Sequence, residues 1–133
     1  MILFDTHAWL WWHAEPARIS ADTAYRIEAA SGWLVSLITF WEISTKVAKG
    51  KLSLSLPTAD WVAASMSDRR CSLAPLSAQA SVRAGQLGLD GFHGDPADRL
   101  IVATALELGV PLITADGLIR EWAVTRRSLS IMW

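Results

Sequence analysis

The sequence predicts an α/β domain, a three-layer arrangement with a central, mainly parallel, twisted sheet and helices on both faces. Three observations predict it. Short apolar runs, such as Ile2 to Phe4, Trp33 to Ser36 and Pro111 to Thr114, alternate with segments of helical character. Those runs are apolar throughout rather than at every second residue, which is how strands buried on both faces read. The 133 residues contain no internal repeat, low-complexity tract or linker, so one domain spanning residues 1–133 accounts for the whole length.

The elements follow in order. Ile2 to Phe4 reads as a buried strand ending at Asp5, and Thr6 to His13 as a helix rich in aromatics. Ser20 to Ala30 reads as a second helix, with Ser20 as N-cap and Ser31-Gly32 as its stop. Trp33 to Ser36 is the second strand. Thr39 to Lys49 reads as a third helix, because Thr39-Phe40-Trp41-Glu42 has the capping-box pattern and Gly50 suits the C-terminal stop. Leu52, Leu54 and Leu56 alternate with serines, as in a strand or an extended loop before Pro57. Thr58 to Asp68 reads as a fourth helix and Ser72 to Ala74 as a weak strand before Pro75. Ser77 to Leu87 reads as a fifth helix, ended by Gly88.

Asp95 to Leu108 carries the strongest helix signals: Asp95 as cap, Pro96 in the first position and Gly109 as the stop. Its middle, Leu100 to Leu106, is almost wholly apolar, so the helix should be deeply buried. Pro111 to Thr114 is a strand, Asp116 to about Trp122 a short helix, and Ser130 to Met132 a last strand. Right-handed crossovers then bring every strand's C-terminal end to one edge of the sheet.

Composition excludes several classes. Hydrophobic residues make up 52% and charged residues 19%, too apolar for a disordered chain. The apolar runs break well short of the roughly 20 residues that a membrane span requires. Met1 leads straight into the first strand with no basic segment before it, so the expectation is a cytoplasmic protein without a signal peptide. Cys71 is the only cysteine, which excludes an internal disulfide framework and a zinc site built on cysteines. The net charge of −1 argues against nucleic-acid binding through bulk basicity; a divalent cation would have to supply the attraction. Eight tryptophans mostly suit core packing, but Trp9, Trp11 and Trp12 cannot share one side of a helix. Some of that indole is expected at a surface or a partner interface.

Four carboxylates fall near the predicted edge. Asp5 follows the first strand, Glu42 lies one turn into the helix after the second, Asp98 lies in the first turn of the buried helix, and Asp116 follows the Leu112-Ile113-Thr114 strand. Ligands of open α/β sheets bind outside the carboxyl ends of the strands. Each acid alone is explained by helix capping, worth roughly 0.3–1 kcal/mol from the helix dipole. Together they are not. Two carboxylates ~4 Å apart repel by about 4 kcal/mol at an effective dielectric near 20, and a divalent cation reverses the sign of that arrangement. Oxygen ligands without His or Cys suit Mg²⁺ or Mn²⁺ rather than zinc.

Four motifs carry a family resemblance: Ile2-Leu3-Phe4-Asp5-Thr6-His7-Ala8, Ser36-Leu37-Ile38-Thr39-Phe40-Trp41-Glu42-Ile43-Ser44, Asp95-Pro96-Ala97-Asp98-Arg99-Leu100-Ile101, and Leu112-Ile113-Thr114-Ala115-Asp116. In order and spacing they resemble the PIN-domain, VapC-like toxins, as does the closing Ile131-Met132-Trp133. The resemblance implies a PIN-like fold and Mg²⁺-dependent endonucleolytic cleavage of RNA. It also implies the role of toxin in a type II toxin–antitoxin pair, a small antitoxin as partner, and a homodimer. Asp5, Glu42, Asp98 and Asp116 match the family's acidic set. Asp5 and Asp98 would hold the main cation, with Glu42 and Asp116 acting through water or on a second ion. Asp95 reads as an N-cap or as a fifth site acid. Thr6 and Thr114 would orient ligands or cap locally. Arg99 would contact phosphate or pair with an acid. His7 reads as structural or a rim residue, and His13 and His93 show no ligand spacing. Lys46, Lys49 and Lys51 would guide RNA or form a solvated face. The rival classes are a Mg²⁺-binding signalling domain and a non-catalytic interaction module. A receiver-type signalling domain needs an acidic pair after the first strand and a late lysine, whereas only Asp5 stands there and no lysine follows Lys51.

Overall fold

Five strands form one sheet in a computed structural model that describes residues 1–133. They are β1 (Ile2–Phe4), β2 (Trp33–Ser36), β3 (Cys71–Ala74), β4 (Leu112–Ile113) and β5 (Ile131–Met132). Their order is β3-β2-β1-β4-β5 and every pairing is parallel, with Leu3 beside Leu34 on one side and Leu112 on the other. Seven helices cover it: α1 (Thr6–Ala14), α2 (Ala21–Ala29), α3 (Leu37–Ala48), α4 (Thr58–Ser65), α5 (Ala78–Gln86), α6 (Pro96–Leu108) and α7 (Gly117–Arg126). The predicted class stands, and the sheet is parallel throughout.

Strand alternation splits the core in two. Leu3 and Leu34 point into one layer with Leu112, built by α5, α6 and α7 around Ile101, Val102, Leu87 and Ile119. Ile2, Phe4, Trp33 and Val35 point into the other, with Ile113, Trp9, Ile27, Ile43 and Trp61. Phe4 is wedged among indoles there, its ring centroid 5.2 Å from Trp9 and 6.2 Å from Trp33, both edge-on. No helix is long and apolar enough to cross a membrane.

The strand order steps one way from β1 to β2 and β3, then the other way to β4 and β5. Connections therefore diverge between β1 and β4, leaving a crevice at their C-terminal ends. Asp5 and Asp116 follow those two strands.

Several boundaries differ from the sequence expectations. α3 starts at Leu37, capped by Ser36, whose Oγ accepts from the Ile38 amide at 3.2 Å. Thr39 is therefore not the N-cap and Glu42 is not its capping-box partner. The last residue of β2 is also the helix cap, so no linker marks the junction. Leu52 to Leu56 forms no strand; Leu52 and Leu54 pack on the second core layer from an extended loop. α4 ends at Ser65 rather than Asp68. After α5 the chain tightens into a 3₁₀ turn, Leu87–Asp90, which ends at Gly91 with φ 80°, not at Gly88. α7 runs beyond Trp122 to Arg126 and is closed by Arg127, a non-glycine residue at φ 52°. A further 3₁₀ turn, Pro16–Arg18, links α1 and α2. Among the N-terminal tryptophans, Trp9 is fully buried while Trp11 and Trp12 are half-buried. The most exposed indole is Trp41 on α3, at 62%.

Candidate active site

The crevice is organised by hydroxyls as much as by acids. Asp5 caps α1: its Oδ1 accepts the Ala8 amide at 2.7 Å. Its Oδ2 accepts from the Thr114 hydroxyl. Thr114 in turn accepts the Asp116 amide at 3.0 Å, and Asp116 caps α7 by accepting the Ile119 amide at 2.9 Å. Thr114, fully buried, thus joins the acids behind β1 and β4. Thr6 does the same for α3. Its hydroxyl donates to the Glu42 carboxylate and lies 3.3 Å from that of Thr39. Capping and a site role are compatible in Asp116, whose cap uses one oxygen and leaves the other, and in Asp5, where both oxygens accept one hydrogen bond and each keeps a further lone pair.

Asp98 lies in the first turn of α6, where its amide donates to the Asp95 carboxylate at 2.9 Å. Asp95 is therefore the N-cap, exposed to solvent. The Asp98 carboxylate itself meets the His93 imidazole, with Nε2 2.7 Å from Oδ2.

The electrostatics tie the acids to one edge. Burial pushes the Asp5 carboxyl up to about 7; the Thr114 and Ala8 hydrogen bonds pull it back, while Asp98 and Asp116 push it higher. Burial also raises Asp98, against the bond from His93 and with help from Asp95 and Asp116. Glu42 is raised by burial, lowered by Thr6 and Lys46, and raised by Asp98 and Asp95. Each of these three carboxyls feels the negative charge of others, so side chains distant in sequence share one field. The carboxylates do not yet close on a single point, since no three Asp, Glu, His or Cys side chains stand as a ready coordination set. Their donor chemistry nonetheless fits a hard divalent cation. Asp5 is the clearest case, because a positive charge beside a buried carboxyl repelled by neighbouring acids would favour its ionised form at neutral pH.

Thr114→Val is expected to leave Asp5 without its donor. The expected cost is about 1–3 kcal/mol, with the Asp5 titration displaced further upward. Chemical denaturation and carboxyl NMR titration measure the two effects.

A sequence model of the PIN domain matches residues 2–124, nearly the whole chain. The chain belongs to the PIN-domain family. It is 35% identical over 122 residues to Ribonuclease VapC22 of Mycobacterium tuberculosis (strain ATCC 25618 / H37Rv), covering 90% of each chain. The PIN domain is thus VapC-like. Among solved structures, its fold resembles VapBC2 from Rickettsia felis bound to a promoter DNA fragment, at TM-score 0.70 and 18% identity over 98% of this chain and 97% of the other. It also resembles VapBC-1 from nontypeable Haemophilus influenzae, at TM-score 0.65 and 22% identity over 99% and 97%.

Around the acids of this PIN domain, two basic residues stand differently from the sequence reading. Arg99 pairs with no acid. Its Nε donates to the His93 carbonyl at 2.8 Å and its NH2 group to the Phe92 carbonyl at 3.3 Å. His93, set aside in the sequence for lack of ligand spacing, is the residue on Asp98. The signal was a histidine five positions before an acid across a helix cap, a separation that the loop folds back into contact. His7 is exposed, with Nε2 3.4 Å from the Lys46 amine; Lys49 and Lys51 lie beyond it in solvent.

Proposed function

We propose that this PIN domain is a metal-dependent endoribonuclease, the toxin of a type II toxin–antitoxin pair, using Mg²⁺ or Mn²⁺ at Asp5, Glu42, Asp98 and Asp116. The observation that carries the reading is the meeting of Asp5 and Asp116 at the β1–β4 crevice, where the buried Thr114 hydroxyl donates to the buried Asp5 carboxylate and accepts the Asp116 amide at 3.0 Å. The ribonuclease name of the mycobacterial relative supports RNA as substrate, and the likeness to VapBC complexes supports a small antitoxin as partner. A homodimer and a cytoplasmic location belong to the same reading. The exposed Leu37 and Trp41 on α3 offer apolar area for a protein contact.

Asp5 and Asp98 would hold the cation, with Glu42 and Asp116 completing the negative field. The chemistry that Mg²⁺ supplies when bound there is polarisation of the phosphate and acidification of a water molecule. The chain's own residues do the rest. Thr114 fixes one Asp5 oxygen and the Ala8 amide the other. Thr6 holds Glu42 against α1. The buried Thr6, Thr39 and Thr114 exclude water from behind the carboxylates.

The test is cleavage of total RNA by the purified chain with and without Mg²⁺. Asp98→Asn is expected to bring cleavage to background while leaving the fold intact. Millimolar Mg²⁺ or Mn²⁺ is expected to raise the melting temperature, by about 2.7 kcal/mol of stability at a hundred times the dissociation constant. Metal-independent cleavage, or full activity of Asp98→Asn, would remove the assignment.

A further inference from the structure

We propose that His93 is a positioning residue for Asp98, and that Arg99 and Gly88 hold His93 in place. This rests on the function proposed above and adds residues that the acidic set does not contain. His93 Nε2 lies 2.7 Å from Asp98 Oδ2, and both side chains are largely buried, at 22% and 25% exposure. One carboxylate oxygen is thereby fixed in direction, and no hydrogen bond within the chain occupies the other.

His93 sits in the loop that joins the 3₁₀ turn to α6, and such a loop needs an anchor of its own. Two features provide it. The imidazole stacks on the Phe92 ring, centroids 4.3 Å apart and planes 26° from parallel, and Phe92 is buried against Trp122. Arg99, the residue after Asp98, turns back and donates to both the His93 and Phe92 carbonyls. The loop and the first turn of α6 are thus closed into one ring: Asp98 to His93 through side chains, His93 to Arg99 through the backbone. The guanidinium has room for this because residue 88 is glycine. A Cβ there would come within 2.8 Å of the Arg99 NH2 group. Gly88 has no left-handed conformation to justify it, so the close approach is the reason for a small residue.

Partners that orient a metal-binding side chain typically change cation affinity or activity by roughly 10- to 100-fold when removed. His93→Ala is expected to raise the Mn²⁺ concentration at the midpoint of the thermal shift by that factor, with cleavage at fixed Mn²⁺ falling in parallel. His93→Gln can place an amide N–H near the position of Nε2 and is expected to restore most of both. Arg99→Ala is expected to weaken Mn²⁺ binding in the wild-type background and to add almost nothing in the His93→Ala background, since its effect passes through His93. Gly88→Ala, which touches neither Asp98 nor His93, is expected to act in the same direction as Arg99→Ala and less strongly. An unchanged Mn²⁺ midpoint in His93→Ala, with Asp98→Asn inactive, would overturn this inference and leave the proposed function standing. Full activity of Asp98→Asn would remove both. Equal losses in His93→Ala and His93→Gln would overturn the positioning role, because any bulk change would then suffice.

Discussion

Asp5→Asn is expected to abolish cleavage and, at pH 8 without divalent cations, to make the protein more stable. The second half is the sharper claim, because inactivating substitutions usually destabilise or do nothing. Burial holds the folded-state Asp5 carboxyl at about 7, against an ordinary value of 3.8. The folded protein therefore binds that proton more tightly than the unfolded chain. Its contribution to stability is fully present below about pH 4 and is lost as pH rises through 7. Above pH 7 the ionised carboxylate costs the metal-free fold on the order of 4 kcal/mol. Asparagine removes the charge and keeps the architecture. Its side-chain oxygen can accept the Ala8 amide, since Asn caps helices about as well as Asp, and its amide can donate to the Thr114 oxygen. A melting temperature for Asp5→Asn at pH 8 below that of the native chain would contradict the buried-charge account.

The pH course separates this effect from a second buried group. His13 is pushed down to about 4 by burial, with its Nε2 unpartnered. Its sign is opposite: stability is lost as pH falls from the usual histidine range through 4. Between pH 4 and 7 the two slopes oppose each other in the native chain. In Asp5→Asn the Asp5 slope is removed while those of His13, Asp98 and Glu42 remain, so stability should fall less, or rise more, with pH across that interval than in the native chain. Added Mn²⁺ should stabilise the native protein increasingly as pH passes 7 and leave Asp5→Asn unmoved.

Much of the fold was legible because its signals are local. Asp95, Pro96 and Gly109 mark α6 within one turn at each end, and the structure places cap, first position and stop there. Ser20 and Ser77 cap α2 and α5 for the same reason. What failed needed contacts that no window contains. Thr39-Phe40-Trp41-Glu42 has the capping pattern, yet Thr39 is buried beside Thr6, thirty-three residues earlier, and Ser36 serves as strand end and cap at once. Leu52 and Leu54 alternate correctly for a half-buried strand, but alternation reports an apolar side and not a neighbouring strand to pair with. At the candidate site, the placement of Asp5 and Asp116 just after β1 and β4 was readable from the sequence, whereas the position of His93 was not. Its contact with Asp98 exists only because the loop after Gly91 folds back on α6. The raised Asp5 pKa was equally invisible, since desolvation depends on everything that packs around β1.

Trp9→Ala should produce the largest loss of stability among the aromatic positions, about 3–5 kcal/mol. Trp9 is fully buried one turn after Thr6. It meets Phe4 edge-on at 5.2 Å and His13 at 4.4 Å, and its Nε1 donates to Ser65 Oγ at 3.3 Å. One side chain thus binds α1 to the sheet and α4 to α1. Truncation removes the indole from the core and leaves a cavity that Phe4 and Trp61 cannot close without leaving their own contacts. Trp41→Ala is the internal control, the same chemical change at an exposed site on α3, where effects within about 0.5 kcal/mol are expected. The contrast also bears on the site, because α1 begins with Asp5 and Thr6. If Trp9 seats α1, then Trp9→Ala should lose Mn²⁺ affinity as well as stability even at temperatures where it is folded, since both hydroxyl-linked acids at the crevice depend on where that helix starts. Urea unfolding of the two variants, with calorimetric Mn²⁺ titration at a temperature well below each midpoint, separates a helix that only packs from one that also places the acids; equal destabilisation by the two substitutions would show that burial does not distinguish these indoles.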